Sequence, residues 1–200
     1  CTVHIYYGED RGELLARRIE EIDNIARFLA RRASSESANY ILLGDFNIIS
    51  PEHQTMTALQ RHGFHLPPML TQLPSNMDRN KHYDQIAFKA REGQVQFAGQ
   101  AGVFNYYDSV FRAEDCAVYL PRIKNRANLE LNSAGQAEET ARNLAYYRSI
   151  WRTYQMSDHL PMWVALNIDF AGQYLQELLM PSFTIEAEHP LDFSLPELER

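Results

Sequence analysis

The sequence has too few cysteines for a disulfide framework or a structural zinc site. Its 200 residues include only Cys1 and Cys116, and neither lies in a CxxC or Cys/His pattern. Those spacings are typical of proteins stabilised by disulfides or by zinc. We therefore expect two thiols that are buried or at the surface, because nothing in the sequence supports a disulfide between them.

A membrane-spanning run is also absent, and no signal peptide is visible. No apolar stretch approaches the roughly 20 residues needed to cross a bilayer. The chain begins without Met, and residues 1–7 already read as a strand. We therefore expect a chain cut from a larger protein, with any targeting segment upstream. The sequence leaves the cellular location open and only slightly favours the cytoplasm.

The sequence has no excess of positive charge. Its net charge is -7, which argues against a protein that grips nucleic acid by bulk electrostatics. An enzyme that acts on a phosphodiester is not excluded, because a bound cation or the local cluster of Arg122, Lys124 and Arg126 would offset the repulsion. The hydrophobic fraction of 45% is ordinary for one globular domain.

What the sequence does contain is an alternation of strand and helix patterns. Apolar residues recur at helical spacing over about 11–32, and the Arg and Glu residues occupy the other face. Other predicted helices cover 50–62, with Ser50 as N-cap, then 138–151 and 174–179. Strands are predicted at 1–7, 41–43, 82–88, 94–97 and 160–168, with a long loop over 64–81 and irregular chain over 113–135. This alternation predicts an α/β protein.

Two short polar motifs adjoin strands. Gly44 to Asn47 (GDFN) follows an apolar strand, and strand alternation would point Asp45 and Asn47 the same way. Asp158 and His159 (in SDHLP) precede the last strand, where they could supply a metal-binding carboxylate and an imidazole for a phosphate. GDFN alone is equally compatible with a turn stabilised by local hydrogen bonds, and SDH alone is more typical of a Ser/Asp turn followed by a structural histidine.

Two further residues have unusual positions within strands. Asp84 lies in an otherwise apolar strand, where a carboxylate is costly to bury unless it is paired. His159 is a suitable partner, since a carboxylate would fix its tautomer and raise its basicity. The alternative is an Asp that faces water. His4 lies in the first strand, where a lone histidine is more often structural.

Taken together and in this order, the four sites resemble the endonuclease/exonuclease/phosphatase superfamily, which is also called DNase I-like. The likeness covers roughly residues 1–170, leaving 171–200 as a helix and tail. It implies a metal-dependent phosphoesterase that hydrolyses a phosphodiester in a nuclease-like manner, or a phosphomonoester. The implied substrate is a phosphate ester, with nucleic acid among the candidates.

The resemblance also implies a role for each matched residue. Asp45 would position or deprotonate the attacking water, and Asn47 would hold the scissile phosphate. Asp158, together with Asp45, would bind Mg²⁺ or Mn²⁺. His159 would contact the phosphate or act as general base, with Asp84 orienting it, and His4 would contact the phosphate or assist the leaving group.

The implied fold is a four-layer α/β/β/α sandwich whose N-terminal part is missing from this chain. In the superfamily, that part carries an Asn and the Glu that is the main metal ligand. The missing half of the domain would therefore be a partner, and the 200-residue chain alone should bind metal weakly and show little activity.

Two other interpretations stay open. A non-catalytic relative could keep the fold as a binding module, although five intact site residues speak against it. Alternatively, GDFN and SDH could be unrelated turns of another α/β enzyme, in which case Asp45 and His159 would not converge. The segment 114–154 is the most individual part of the sequence. Tyr146, Tyr147 and Trp151 could stack on a base there, although packing in the core is the safer interpretation.

Overall fold

The computed structural model describes residues 1–91, 93–127, 136–167 and 171–179. The chain divides into two compact units, residues 1–166 and residues 167–200. The first unit mixes helices with small sheets, as the α/β prediction requires. The described part of the second unit includes one helix, α7 (Ala171–Leu179). The predicted tail from Pro181 lies outside the described residues.

The described residues form five strands: β1 (Thr2–His4), β2 (Tyr40–Asp45), β3 (Asp84–Lys89), β4 (Gln96–Val103) and β5 (Met162–Asn167). The remaining helices are α1 (Gly12–Ser35), α2 (Gln54–Gln60), α3 (Pro68–Thr71), α4 (Cys116–Ala127), α5 (Gln136–Tyr146) and α6 (Arg152–Gln155), with a π-helical turn at Tyr147–Trp151 between the last two. None of the described helices has both the length and the apolar character needed to cross a membrane.

The strands form two small sheets. In the first, β2 is central, with β1 parallel to it on one side and β3 antiparallel on the other. In the second, β4 pairs with β5. Because β1 and β3 flank β2, residues at the end of β2 have neighbours on both sides. This arrangement positions the candidate site.

Gly44 allows β1 and β2 to approach closely. It pairs with Val3 and has φ of +135°, a conformation that L side chains rarely adopt. A Cβ at this position would lie 2.1 Å from the Val3 carbonyl oxygen, which is far inside van der Waals contact. Residue 44 therefore has to be glycine if the two strands are to keep this spacing.

The first core forms between the first sheet and helices α1 and α2. Ile22, Ala26, Leu29 and Ala33 recur at helical spacing on α1 and are buried, because this stripe faces the sheet. The sheet core, as we name it, has the following buried members: Ile5, Ile22, Ala26, Leu29, Leu42, Phe46, Ile48, Met56, Ala58, Leu59, Phe64, Leu66 and Ala87. The helix predicted over 11–32 is confirmed, although it extends to Ser35.

The second core is aromatic and helical. It consists of Cys116, Ile123, Tyr147 and Trp151, with Phe111 and Tyr119 packed against them, and we call it the aromatic cluster. The prediction that 113–135 is irregular was wrong for 116–127, which form α4 even though Pro121 lies inside it. Packing against the aromatic rings accounts for a helix that local propensity disfavours. Tyr147 and Trp151 are core residues, as the safer interpretation held.

Two local predictions need correction. Helix α2 begins at Gln54 and is capped by His53, whose ring accepts a hydrogen bond from the Thr55 N–H at 3.2 Å. Ser50 is therefore not its N-cap; its carbonyl accepts the His53 N–H in a preceding turn. The loop predicted over 64–81 contains the short helix α3. Both cysteines are free thiols, as expected, Cys1 exposed and Cys116 buried.

Candidate active site

The ends of three neighbouring strands bring two carboxylates and an imidazole together. His4 lies beside Asp45 on the parallel pair of strands, and Asp45 lies opposite Asp84 on the antiparallel pair. Opposite residues on paired antiparallel strands have Cβ atoms about 5 Å apart. Main-chain pairing alone therefore places these three predicted site residues at one end of the sheet.

His159 reaches this sheet end from the loop before β5. Its Nδ1 lies 2.9 Å from Asp84 Oδ2, and its Nε2 lies 3.8 Å from Asp45 Oδ2. The hydrogen bond to Asp84 raises the pKa of His159 to about 9, against the opposing effect of burial. With this raised pKa the ring is protonated at neutral pH and donates Nδ1–H to Asp84.

This geometry bears on the interpretation that GDFN and SDH are unrelated turns. That interpretation predicts that Asp45 and His159 do not converge. Their side chains instead approach within 3.8 Å, and Asp84 contacts the same imidazole. The structure therefore brings together side chains from three separate segments of the sequence.

The loop that carries His159 is fixed by main-chain pairing with the segment before β3. Met77 N–H donates to the Asp158 carbonyl at 2.7 Å, and Leu160 N–H donates to the Ser75 carbonyl at 2.7 Å. The Ser75 hydroxyl also accepts the Asp84 N–H at 2.9 Å. Ser75 thus links the strand of Asp84 to the loop of His159, a role that no sequence pattern indicated.

Two tyrosines hold the same loop from the other side. The Tyr106 hydroxyl lies 2.6 Å from the Ser157 carbonyl oxygen and 2.9 Å from that of His159. The Tyr107 hydroxyl donates towards the Ser157 and Arg152 carbonyls at 2.7 and 3.1 Å. The sequence showed an aromatic-rich stretch here but gave no sign of these contacts.

Asp45 is largely buried, and burial raises its pKa. Its Oδ1 accepts the Asn47 N–H at 2.9 Å, while its Oδ2 lies 3.4 Å from His4 Nε2. The His4 side chain is 83% exposed, so it is open to a ligand rather than part of the core. A carboxylate with a raised pKa is a better proton acceptor than an ordinary surface aspartate.

The predicted alternation of Asp45 and Asn47 was wrong. Strand β2 ends at Asp45, and Asn47 has φ of +52°, a left-handed conformation that Asn adopts more readily than most residues. Its side chain is buried, and Nδ2 donates to the Ile5 carbonyl at 2.7 Å. This bond uses one amide hydrogen to join the GDFN turn to the chain after β1.

Asp158 is exposed at the surface beside His159. The groups of His, Cys, Asp and Glu ligand atoms that approach within 4.8 Å of one another in the described chain include Asp45, Asp84 and His159, but not Asp158. The pairing of Asp158 with Asp45 around one metal ion stays a prediction. Asp158 also lines a neighbouring cavity.

Arg18 is a buried residue that the sequence interpretation placed on the wrong face of α1. It is 1% exposed, and its guanidinium donates to the carbonyls of Tyr7, Glu9 and Asn47. It also lies 3.0 Å from Asp10 Oδ1. Arg18 therefore fixes the turn after β1 and the GDFN turn relative to one another. Its spacing of four residues from Ile22 was the signal that could have identified it.

The donor set suits a hard divalent cation only in part. Carboxylate oxygens are the ligands that Mg²⁺ prefers, and Asp45 offers one whose negative charge is poorly solvated. His159 would have to lose its proton to bind a metal ion, because a metal-bound histidine must be neutral. Asp45 is therefore the residue that fits a metal role, with Asp84 committed to the imidazolium.

Comparisons of the chain with protein-family models, with curated proteins and with solved structures each returned no match. Any functional conclusion therefore depends on the motifs and on the geometry of the site.

Proposed function

We propose that this chain carries part of the active site of a divalent-metal-dependent phosphoesterase. The reaction would be hydrolysis of a phosphodiester, in a nuclease-like manner, or of a phosphomonoester. The observation that carries the proposal is the convergence of Asp45, Asp84 and His159, whose ligand atoms all lie within 4.8 Å of one another. Three distant sequence segments are needed to build this cluster.

The side chains suit attack by water on phosphorus. Water oxygen would form the new bond to phosphorus while a water proton passes to Asp45. The phosphorus–oxygen bond to the alcohol would break, and the alcohol oxygen would take a proton from His4 or from solvent. Developing negative charge on the phosphoryl oxygens would be stabilised by the His159 imidazolium. The raised pKa of His159 favours this role over that of general base.

Asp45 is the residue that would hold Mg²⁺ or Mn²⁺ in this proposal. A bound divalent ion supplies neutralisation of phosphoryl charge during the reaction. With a single well-placed carboxylate and a protonated histidine, this chain should bind the ion weakly. We propose that the main Glu ligand lies in an N-terminal half of the domain, and that the complete domain is the four-layer DNase I-like sandwich.

The test is hydrolysis of bis(4-nitrophenyl) phosphate by the 200-residue chain in the presence of Mn²⁺. We expect slow turnover that is lost on chelation and in Asp45→Asn and His159→Ala. Two matched controls, Asp108→Asn and His65→Ala, remove an exposed carboxylate and an exposed imidazole elsewhere and should leave the rate unchanged.

The possible results separate the candidates. Metal-dependent turnover that survives both site substitutions would refute the proposed site. Efficient turnover by the chain alone would refute the need for a further Glu ligand. If inorganic phosphate perturbs the His159 ring signals in NMR spectra but the upstream sequence carries neither the Asn nor the Glu of the superfamily, the non-catalytic binding module is the better description. The resemblance assigns Asn47 to the scissile phosphate, but its side-chain amide is buried and donates to the Ile5 carbonyl. This is the observation that favours the second candidate, the binding module.

A further inference from the structure

A second cavity opens beside the candidate active site. It has a volume of about 580 Å³ and is lined in part by Tyr83, Asp158, Asp78 and Tyr154. Tyr83 connects the two places, since its ring stacks on the His159 imidazole with centroids 5.3 Å apart and an interplanar angle of 28°. A phosphate held by His159 would therefore have its organic substituent at the mouth of this cavity.

The charge of the cavity lining is negative. Asp78 and Asp158 contribute exposed carboxylates, and none of the lining residues in the described chain is Lys or Arg. The nearby cation Lys81 lies 3.2 Å from Asp10 Oδ2 in an ion pair of its own. A group that enters the cavity therefore meets two carboxylates and, among the described lining residues, no cationic side chain, which disfavours additional phosphates.

The tyrosines that line the cavity also favour a positively charged ligand. Tyr154 is 82% exposed, and Tyr83 contributes a second ring to the cavity lining. Tyrosine faces attract cations within about 6 Å of the ring centroid. Carboxylates and tyrosine faces together form an environment suited to an amino or ammonium group.

We propose that this cavity receives the alcohol-side organic group of the ester, that this group is positively charged, and that Asp78 determines the preference. This inference rests on the proposed function, because it places the phosphate at His159. It narrows the substrate to esters whose substituent carries an amine or ammonium. It disfavours polyphosphorylated substrates and nucleic acid strands, whose neighbouring phosphates would enter a negative cavity.

The test uses three phosphate monoesters of similar length and different terminal charge. O-phosphoethanolamine ends in a cation, ethyl phosphate in an uncharged group, and 2-phosphoglycolate in an anion. Each is titrated into the ¹⁵N-labelled 200-residue chain with Mg²⁺, with inorganic phosphate as the reference. We expect O-phosphoethanolamine to bind about ten-fold more tightly than 2-phosphoglycolate, which is about 1.4 kcal/mol. Only the cationic probe should shift the signals of Tyr154 and Asp78 strongly.

Variants then identify the determinant. Asp78→Asn should reduce the preference about three-fold, and Asp78→Lys should reverse it, since opposite charges would then face the probes. Glu20→Gln removes an exposed carboxylate from α1 and should leave the preference unchanged. Inorganic phosphate should bind Asp78→Asn and Glu20→Gln about as well as the unaltered chain.

The outcomes distinguish the two proposals. If inorganic phosphate shifts His159 but the three esters bind equally, the cavity does not select charge and this inference is overturned while the proposed function stands. If Asp78→Lys keeps the cationic preference, Asp78 is not the determinant and the inference is also overturned. If inorganic phosphate does not perturb His159 in the unaltered chain, the proposed function fails and this inference fails with it.

Discussion

The sheet core and the aromatic cluster differ in how they are built and in what they contribute to the site. The sheet core is largely aliphatic and supports the strands that carry His4, Asp45 and Asp84. The aromatic cluster stacks Tyr119, Tyr147 and Trp151, with ring centroids 5.2 to 6.0 Å apart.

The candidate site draws on both regions. The sheet core supplies the carboxylates, whereas the loop of His159 is tied to Tyr107, which also bonds to Arg152 next to the aromatic cluster. The Asp84–His159 hydrogen bond thus joins a strand from one region to a loop that the other supports. We infer that the distance between these two residues reports on whether both regions are folded.

The largest expected effect comes from removing the buried cation on the sheet side. Arg18→Met should lower the free energy of unfolding by about 1–3 kcal/mol, because it leaves the buried Asn47 carbonyl without its donor and Asp10 without its ion-pair partner. Urea denaturation followed by circular dichroism measures the change. The adjacent Arg17→Met alters an exposed side chain and should change stability by less than about 0.5 kcal/mol. Equal effects at both positions would contradict the role given to Arg18.

The second prediction concerns the Asp84–His159 hydrogen bond, which joins the two regions. NMR titration should give a pKa of about 9 for His159, and Asp84→Asn should lower it towards the ordinary value of about 6.5. Because the folded pKa is raised, the stabilisation is fully present below about pH 6.5 and is lost as pH rises through about 9. As the pH rises from about 6.5 to about 9, the free energy of unfolding should fall in the unaltered chain. In Asp84→Asn it should change less over the same pH range. An unperturbed His159 titration would contradict the hydrogen bond.

The third prediction tests the support given from the aromatic side. Tyr107→Phe removes the hydroxyl that bonds to the Ser157 and Arg152 carbonyls and should cost about 1 kcal/mol. It should also shift the His159 ring signals while the sheet-core methyl signals stay in place. Tyr154→Phe, which alters a largely exposed ring, is the matched control. Unchanged His159 signals in Tyr107→Phe would show that the aromatic region does not hold this loop.

The smallest expected effect is a difference in thiol labelling between the two cysteines, one in each region. Cys1 is exposed beside β2, whereas Cys116 is buried in the aromatic cluster and burial raises its pKa. A thiol reagent should therefore modify one group per chain rapidly and the second only as the cluster opens. Labelling rates measured with increasing urea would show whether the aromatic cluster opens before the sheet core. Rapid reaction of both thiols without urea would contradict the buried position of Cys116.

The sheet region was the more predictable of the two from sequence. Apolar spacing indicated α1, and the cost of burying Asp84 indicated its pairing with His159. Arg18 was missed because a charge suggests a solvent face, although its position continues the stripe of Ile22 and Ala26. Asn47 was misplaced because strand alternation does not continue through a left-handed residue.

The aromatic region was harder to predict because tertiary packing decides its structure. Local propensity disfavours a helix around Pro121, yet α4 forms where its residues pack on Tyr147 and Trp151. The ties from Tyr106 and Tyr107 to the loop of His159 join residues about fifty positions apart. Hydroxyl-to-carbonyl bonds of this kind leave no periodic trace in the sequence.

Gly44 gives the site a property that its side chains do not. Because a Cβ there would lie 2.1 Å from the Val3 carbonyl oxygen, any side chain at position 44 would push β1 away from β2 and move the main chain of His4 away from that of Asp45. Glycine at position 44 thus sets the spacing of the two strands that carry His4 and Asp45. In a saturation library, position 44 should tolerate fewer replacements than position 4 or position 45.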